Sequence, residues 1–187
     1  NEMALRFKFS TLGVNGRMLR KFVLDASADW QVGDIVSGGT GGEGFNGEVI
    51  ASTTSTYNII GVIEALITNK GVSPADNGCS GAFVDQYRTA ANNETAGQVS
   101  AIVDISPFSV YSADLDDTIG TTTGSNRAFY YFNLDTPGSG NIDESTALAP
   151  STGHSQFVSH GLDPEDTNNL LVSINRSFML NDTSAPA

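Results

Sequence analysis

The chain is short of nearly everything that catalysis and covalent cross-linking use. Of its 187 residues, one is cysteine, two are histidine and nine are Lys or Arg. A single cysteine excludes an intrachain disulfide framework and a CxxC metal site. Cys79 lies in the turn-like "NGCSG", with no base beside it. It reads as an inert small residue, because a reactive thiol needs an electropositive setting. No apolar run approaches transmembrane length, and the start carries no signal-peptide pattern. The expectation is a soluble protein made in a reducing cytoplasm. Charged residues are also scarce, at 16%, and no window has the periodicity of an amphipathic helix.

Gly, Ser, Thr and Asn fill the gap. Ser, Thr and Asn compete with helical hydrogen bonds through their own side chains, so the mix favours strands and turns. Hydrophobic residues make up 39%, enough for the core of one domain at this length. The formal charge is −12, which repels free nucleic acid and anionic membranes. The sign is uneven. Residues 1–24 hold five bases (Arg6, Lys8, Arg17, Arg20, Lys21) against one acid, Glu2. Such a segment is either a basic arm that docks on an acidic partner or another copy of the chain, or an edge strand on which cations block unwanted pairing.

"ALRFKF" (4–9) alternates apolar and polar residues, the period of a half-buried strand. Further strand signals are "MLRKFVL" (18–24), "VGDIV" (32–36), "EVIAST", "YNIIGVIEALI" (57–67) and "SGAFVDQY" (80–87). They continue with "QVSAIVDI" (98–105), "FSVYSA" (108–113), "RAFYYFNL" (127–134), "SQFVSHGL" (155–162) and "NLLVSINRSFML" (169–180). Short strands separated by turn clusters predict an all-β fold. The expected architecture is a single β-barrel or β-sandwich-like domain of about ten short strands, with an extended N-terminal arm. "LDASADW" reads as a break before the β region. The division is a basic arm over 1–30, a β-rich domain over 31–180 and a disordered tail over 181–187. An arm of this kind implies that removing residues 1–24 leaves the body folded.

The candidate chemistry fails motif by motif. "SGGTGGEGFNG" (37–47) holds six glycines and matches G-x-G-x-x-G twice. A dinucleotide site needs a helix after the glycines, whose N-terminal amides hold the pyrophosphate. The β-branched run that follows Gly47 excludes that helix, so the stretch reads as a loop between strands. His154 and His160, with Asp163 nearby, are too few for a metal site of three or four ligands. Asp114 and Asp116 match only the first spacing of a calcium loop. No G-x-S-x-G elbow marks a serine nucleophile. The expectation is a non-enzyme with no cofactor, no metal and no catalytic residues. Phe129, Tyr130, Tyr131 and Phe132 form an aromatic run that suits core packing on one side and subunit contact on the other. Phe129, Tyr130 and Tyr131 are the candidates for an oligomer interface.

The order of segments carries a resemblance. "WQVGDIVSGG", "IIGVIEAL", "QVSAIVDISPFSVYSADLDD", "TIGTTTGSNRAFYYFNL" and "SQFVSHGLDPEDTNNLLVSINRSFML" follow one another over about residues 30–178. Together they resemble the decoration, or cement, proteins of tailed bacteriophage heads. The matching positions are Gly33-Asp34, Gly61-Val62, Asp104 with Phe108, and Ala113-Asp114. The final phrase adds Gly161-Leu162-Asp163-Pro164, Leu171-Val172 and Ile174-Asn175. The departures are the glycine-rich insertion, the early basic segment and the "TNKGVSPADNG" region.

The resemblance implies a β-rich, non-catalytic clip on the outer surface of a virion. Its partners would be the major capsid protein and other copies of itself, as a homotrimer, with neither nucleic acid nor membrane involved. The chain would be made in the host bacterial cytoplasm and would stabilise the capsid by bridging its subunits. Many modest contacts held together sum to strong retention. Arg6, Lys8, Arg17, Arg20 and Lys21 would then be the partner-binding residues. The alternatives are another virion component (a minor capsid, head-fibre or tail protein) and a carbohydrate-binding or hydrolytic β domain using Tyr130, Tyr131 and an acid pair. With Trp30 as its one tryptophan, the chain is poorly supplied for stacking on sugars.

Overall fold

The computed structural model describes residues 5–11, 16–24, 30–38, 48–51, 59–68, 83–85, 87–88, 99–115, 128–134, 142–148, 155–166 and 168–176. Among them are fourteen strands and no helix, so the all-β expectation holds. The strands are β1 (Leu5–Ser10), β2 (Leu19–Leu24), β3 (Trp30–Gln31), β4 (Ile35–Gly38), β5 (Glu48–Ala51), β6 (Ile59–Thr68) and β7 (Phe83–Asp85). They continue as β8 (Tyr87–Arg88), β9 (Val99–Asp104), β10 (Ser109–Ala113), β11 (Tyr131–Leu134), β12 (Ile142–Leu148), β13 (Phe157–Leu162) and β14 (Leu170–Ile174). The glycine-rich stretch beyond Gly38, Cys79, His154, Asp116 and the C-terminal tail lie outside the described residues.

Two six-stranded sheets make the body. The first runs β1-β10-β14-β13-β11-β12 and is antiparallel throughout. The second runs β4-β5-β2-β9-β6-β7, and β4 also pairs with β6. That extra pairing links β4, β5, β2, β9 and β6 into a ring, so the sheet curls on itself. Only β2 with β5 is parallel in this sheet. A small third ladder joins β3 to β8.

Apolar spacing explains where the two cores form. Leu5, Tyr111, Ala113, Phe132, Leu134, Ile142, Phe157, Leu170, Val172 and Ile174 project from one face of the first sheet. They pack with Ile35, Ile59 and Val62 of the curled sheet. The second core gathers Trp30, Val36, Ile60, Ile63, Leu66, Ala101 and Val103. Strands β4 and β6 therefore bury side chains in both cores. This is why "IIGVI" (59–63) is nearly continuous in apolar residues, where a strand wet on one face would alternate. Two irregularities in β6 sort the side chains. The register slips opposite Val36/Ser37 and again between Ile63 and Ala65. The second slip leaves Glu64 as an extra residue, so Ile63 and Leu66 reach the same core despite their odd spacing.

The N-terminal segment is part of this body. Strand β1 pairs with β10 from Leu5 to Ser10, and β2 pairs with β9 from Leu19 to Val23. Leu5 is buried in the first core, and Phe22 packs against the second. Residues 5–10 and 19–24 are thus strands of the two sheets, where the sequence suggests a separable arm. Trp30, placed by the sequence at a segment boundary, is fully buried. The turn after it explains how. Gly33 has φ 97°, a left-handed conformation that glycine takes without steric cost. The Asp34 N–H bonds the Gln31 carbonyl, and the Gln31 N–H returns to Asp34 Oδ2 at 2.8 Å.

Candidate functional site

The five bases separate into three groups. Arg6 and Lys8 project from β1 onto the β13–β14 connection. Arg6 Nη2 lies 3.1 Å from Asp114 Oδ1 and 3.9 Å from Asp166 Oδ2. Lys8 Nζ lies 3.0 Å from Asp163 Oδ2 and 2.7 Å from Glu165 Oε2. Asn169 Nδ2 donates to Asp114 Oδ1 and Ser112 Oγ, and the Glu165 N–H donates to Asp163 Oδ1. The "GLDPEDTNN" phrase is therefore a turn clasped to β1 and β10. Burial alone would push the Asp163 carboxyl up. Hydrogen bonds from Ser112, the Glu165 N–H and Lys8 overcome this and hold it below its ordinary range. Its hydrogen bond to Glu165, then the one to Asp163, raises the Lys8 ammonium.

Arg17 faces the other way, into the seam between the sheets. Its guanidinium pairs with Glu64 and, through Nε at 3.1 Å, with Asp104 Oδ2. Asp104 is fully buried at the end of β9. Its Oδ2 also accepts from the Ser109 hydroxyl at 2.6 Å. Its Oδ1 accepts from the Ser106 N–H at 3.0 Å and the Met18 N–H at 3.4 Å. The Arg17 guanidinium lies 3.9 Å over the Phe7 ring, which meets Tyr111 edge-on. Burial pushes Glu64 up despite Arg17 beside it. Burial, with Asp104 and Glu64 close by, pushes the Tyr111 hydroxyl well up. This network ties β1, β2, β6, β9 and β10 together, and its charges are spent on that task.

Arg20 and Lys21 remain exposed on β2. Next to them Met18 and Leu19 are 53% and 54% exposed. Four consecutive exposed residues thus combine two large apolar side chains with two cations, on a chain of net charge −12. Arg20 also stacks 5.5 Å over the Phe22 ring. Of the five bases singled out in the sequence, these two are the exposed ones.

The aromatic run is divided by the fold. Phe132 is buried in the first core, while Tyr130 and Tyr131 are half-buried. Phe129 is 65% exposed and has φ 68°. The strand begins only at Tyr131, four residues after the start of "RAFYYFNL" (127–134), because the backbone bulges first. The Phe129 N–H donates to the Ser159 carbonyl at 2.6 Å, and the Ser159 N–H donates to the Tyr130 carbonyl at 2.8 Å. Two residues facing one, with the first left-handed, is the glycine type of β-bulge. A phenylalanine occupies the glycine position.

Beside this bulge lies a groove of about 330 Å³. Phe108, Val158, His160, Ser173, Ile174 and Arg176 are among its walls. The Arg176 guanidinium stacks 4.3 Å over the Phe108 ring, and His160 Nε2 is 2.9 Å from Ser173 Oγ. Burial lowers the His160 pKa. Sequence reasoning missed this groove, because its walls come from four separate stretches.

The described residues bring no three His, Cys, Asp or Glu side chains together for a metal. Asp163 is committed to Lys8, and Asp114 to Arg6 and Asn169. One further acid is set apart by its burial. Asp34 is 3% exposed, and its Oδ1 is buried without a hydrogen-bond partner. Burial pushes its carboxyl up to about 7, against the Gln31 hydrogen bond that lowers it. No helix among the described residues is long and apolar enough to cross a membrane. Comparison with known protein families, curated proteins and solved structures finds no match.

Proposed function

We propose that this chain is a non-catalytic structural protein that binds the outside of a bacteriophage head and stabilises it by bridging major capsid protein subunits. The observation that carries the binding surface is the exposed run Met18-Leu19-Arg20-Lys21 on β2. Apolar area supplies the contact energy and the cations select an acidic partner. The choice of partner rests on the resemblance of residues 30–178 to decoration proteins. The phrases that carry it have architectural roles in this fold. Gly33-Asp34 forms the turn after Trp30, Asp104 holds the seam, and Asp163 anchors the β13–β14 connection.

The test uses the purified chain and phage heads that lack it. The chain is expected to sediment with the heads and to appear on their outer surface by electron cryomicroscopy. The double variant Arg20→Glu with Lys21→Glu is expected to keep the native near-UV spectrum and to lose at least about tenfold in affinity. Failure of the wild-type chain to bind heads, or a position inside the shell or on the tail, overturns the reading. Retention on glycans or hydrolysis of them replaces it with a carbohydrate-directed one.

A further inference from the structure

We infer that Phe129 is an intermolecular anchor, and that its socket is the groove beside His160 on a second copy of this chain. The inference does not depend on what else the protein binds.

Three observations lead there. The first is the backbone. Phe129 holds φ 68° in a bulge position that suits glycine. A bulky residue in this region is an outlier, and such strain clusters at functional positions. The second is exposure. The side chain is 65% exposed, and hydrogen bonds from the Phe129 N–H to the Ser159 carbonyl and from the Ser159 N–H to the Tyr130 carbonyl fix the backbone in place. A rigid, protruding aromatic loses little freedom on insertion into a pocket, as expected of an interface anchor. Strain and exposure both work against the isolated chain, and burial in a partner offsets both.

The third observation identifies the occupant. Ser159, the residue that holds the Phe129 backbone, sits between Val158 and His160, which line the groove. Knob and socket therefore lie side by side on one molecule. Adjacent complementary features let two copies exchange them reciprocally, or several exchange them round a ring. The groove measures about 330 Å³. Apolar cavities of about 150 Å³ already take up benzene, so a phenyl ring fits with room for its stem. Val158 and Phe108 supply apolar walls, and the Arg176 guanidinium offers a cation to the incoming ring face. Among the described residues, no carboxylate lines the groove. On a chain of net charge −12, a lining without described carboxylates lowers the repulsion between two copies that meet there.

Sedimentation of the purified chain over a range of concentrations tests this, with three further samples. Wild type is expected to self-associate, and either a dimer or a closed ring supports the inference. Phe129→Gly removes the knob and relaxes the bulge. It is expected to raise the unfolding midpoint of the monomer by about 2–4 °C and to weaken association at least about thirtyfold. His160→Glu puts a carboxylate into the socket and is expected to weaken association likewise. Mixing the two defective variants restores one sound knob and one sound socket per pair, and so recovers association between them. A wild-type chain that stays monomeric at millimolar concentration overturns the inference. So does a Phe129→Gly chain that associates as strongly as wild type, or a mixture that recovers nothing.

Discussion

Gly61 lies so close to the backbone carbonyl of Asp104 that a Cβ at residue 61 would collide with it. The carbonyl carbon and Val103 Cγ1 crowd the same point, at 2.8 and 2.9 Å. The obstacle is backbone, held by the β6–β9 ladder in which Val62 faces Asp104. It cannot swing aside as a side-chain tip would. Gly61→Ala is therefore expected to separate β6 from β9 locally and to cost about 3 kcal/mol. Denaturant unfolding measures it, and an unchanged midpoint refutes the account.

Asp104 itself is the hub of the seam. Removing its carboxylate strands Arg17 beside Glu64 and leaves the Ser109 hydroxyl and two N–H groups without their acceptor. Asp104→Ala is expected to cost about 3–5 kcal/mol, the range for breaking a buried ion pair from one side. Ser109→Ala removes one neutral donor and costs about 1 kcal/mol. The ratio between the two is the test, read from equilibrium unfolding.

Two aspartates should respond to pH in opposite senses. Asp34 titrates at about 7 when folded against 3.8 ordinarily. The folded state holds its proton more tightly, so this group's stabilising effect is complete below about pH 4 and is lost as pH rises through 7. The largest loss is about 4 kcal/mol. Asp34→Asn removes that slope while keeping an acceptor for the Gln31 N–H. The stability difference, variant minus wild type, is expected to grow from pH 4 to pH 8.

Asp163 has the reverse sign. Its folded pKa is lowered, so its contribution is present above the ordinary carboxylate range. It is lost as pH falls through the folded value. Asp163→Asn is expected to flatten the acid limb of the stability curve. An acid limb identical to wild type contradicts the clasp by Lys8.

Deletion of residues 1–11 should not yield a folded, arm-less body. It removes β1, exposes the β10 ladder and uncovers Tyr111 and Ala113 in the first core. The expected product has lost the near-UV signal of packed aromatics. A truncated chain with a native spectrum would restore the separable arm.

Local pattern was enough to find most of the strands. "ALRFKF" and "QVSAIVDI" alternate because one face of each meets a core, and periodicity is a property of short stretches. β12 escaped because "IDESTAL" is polar, as an edge strand can be when one side of its ladder has no neighbour. Among the described residues its strand partner is β11, with one isolated bridge from Ile142 to Leu115 on the other side. The β-bulge at Phe129 escaped because its cause, the Ser159 carbonyl, lies thirty residues on.

Composition and short-range spacing settle the class of this protein: all-β, acidic, with little ionisable chemistry outside its carboxylates. They do so because those properties need no knowledge of what faces what. Long-range pairing settles the rest. It paired three of the five N-terminal bases with acids from β6, β9 and the β10 and β13 connections. It left Arg20 and Lys21 outside, and set Phe129 beside a groove assembled from distant segments. A charge or a ring acts through its neighbours, and in a β fold those neighbours are supplied by strands far away in sequence.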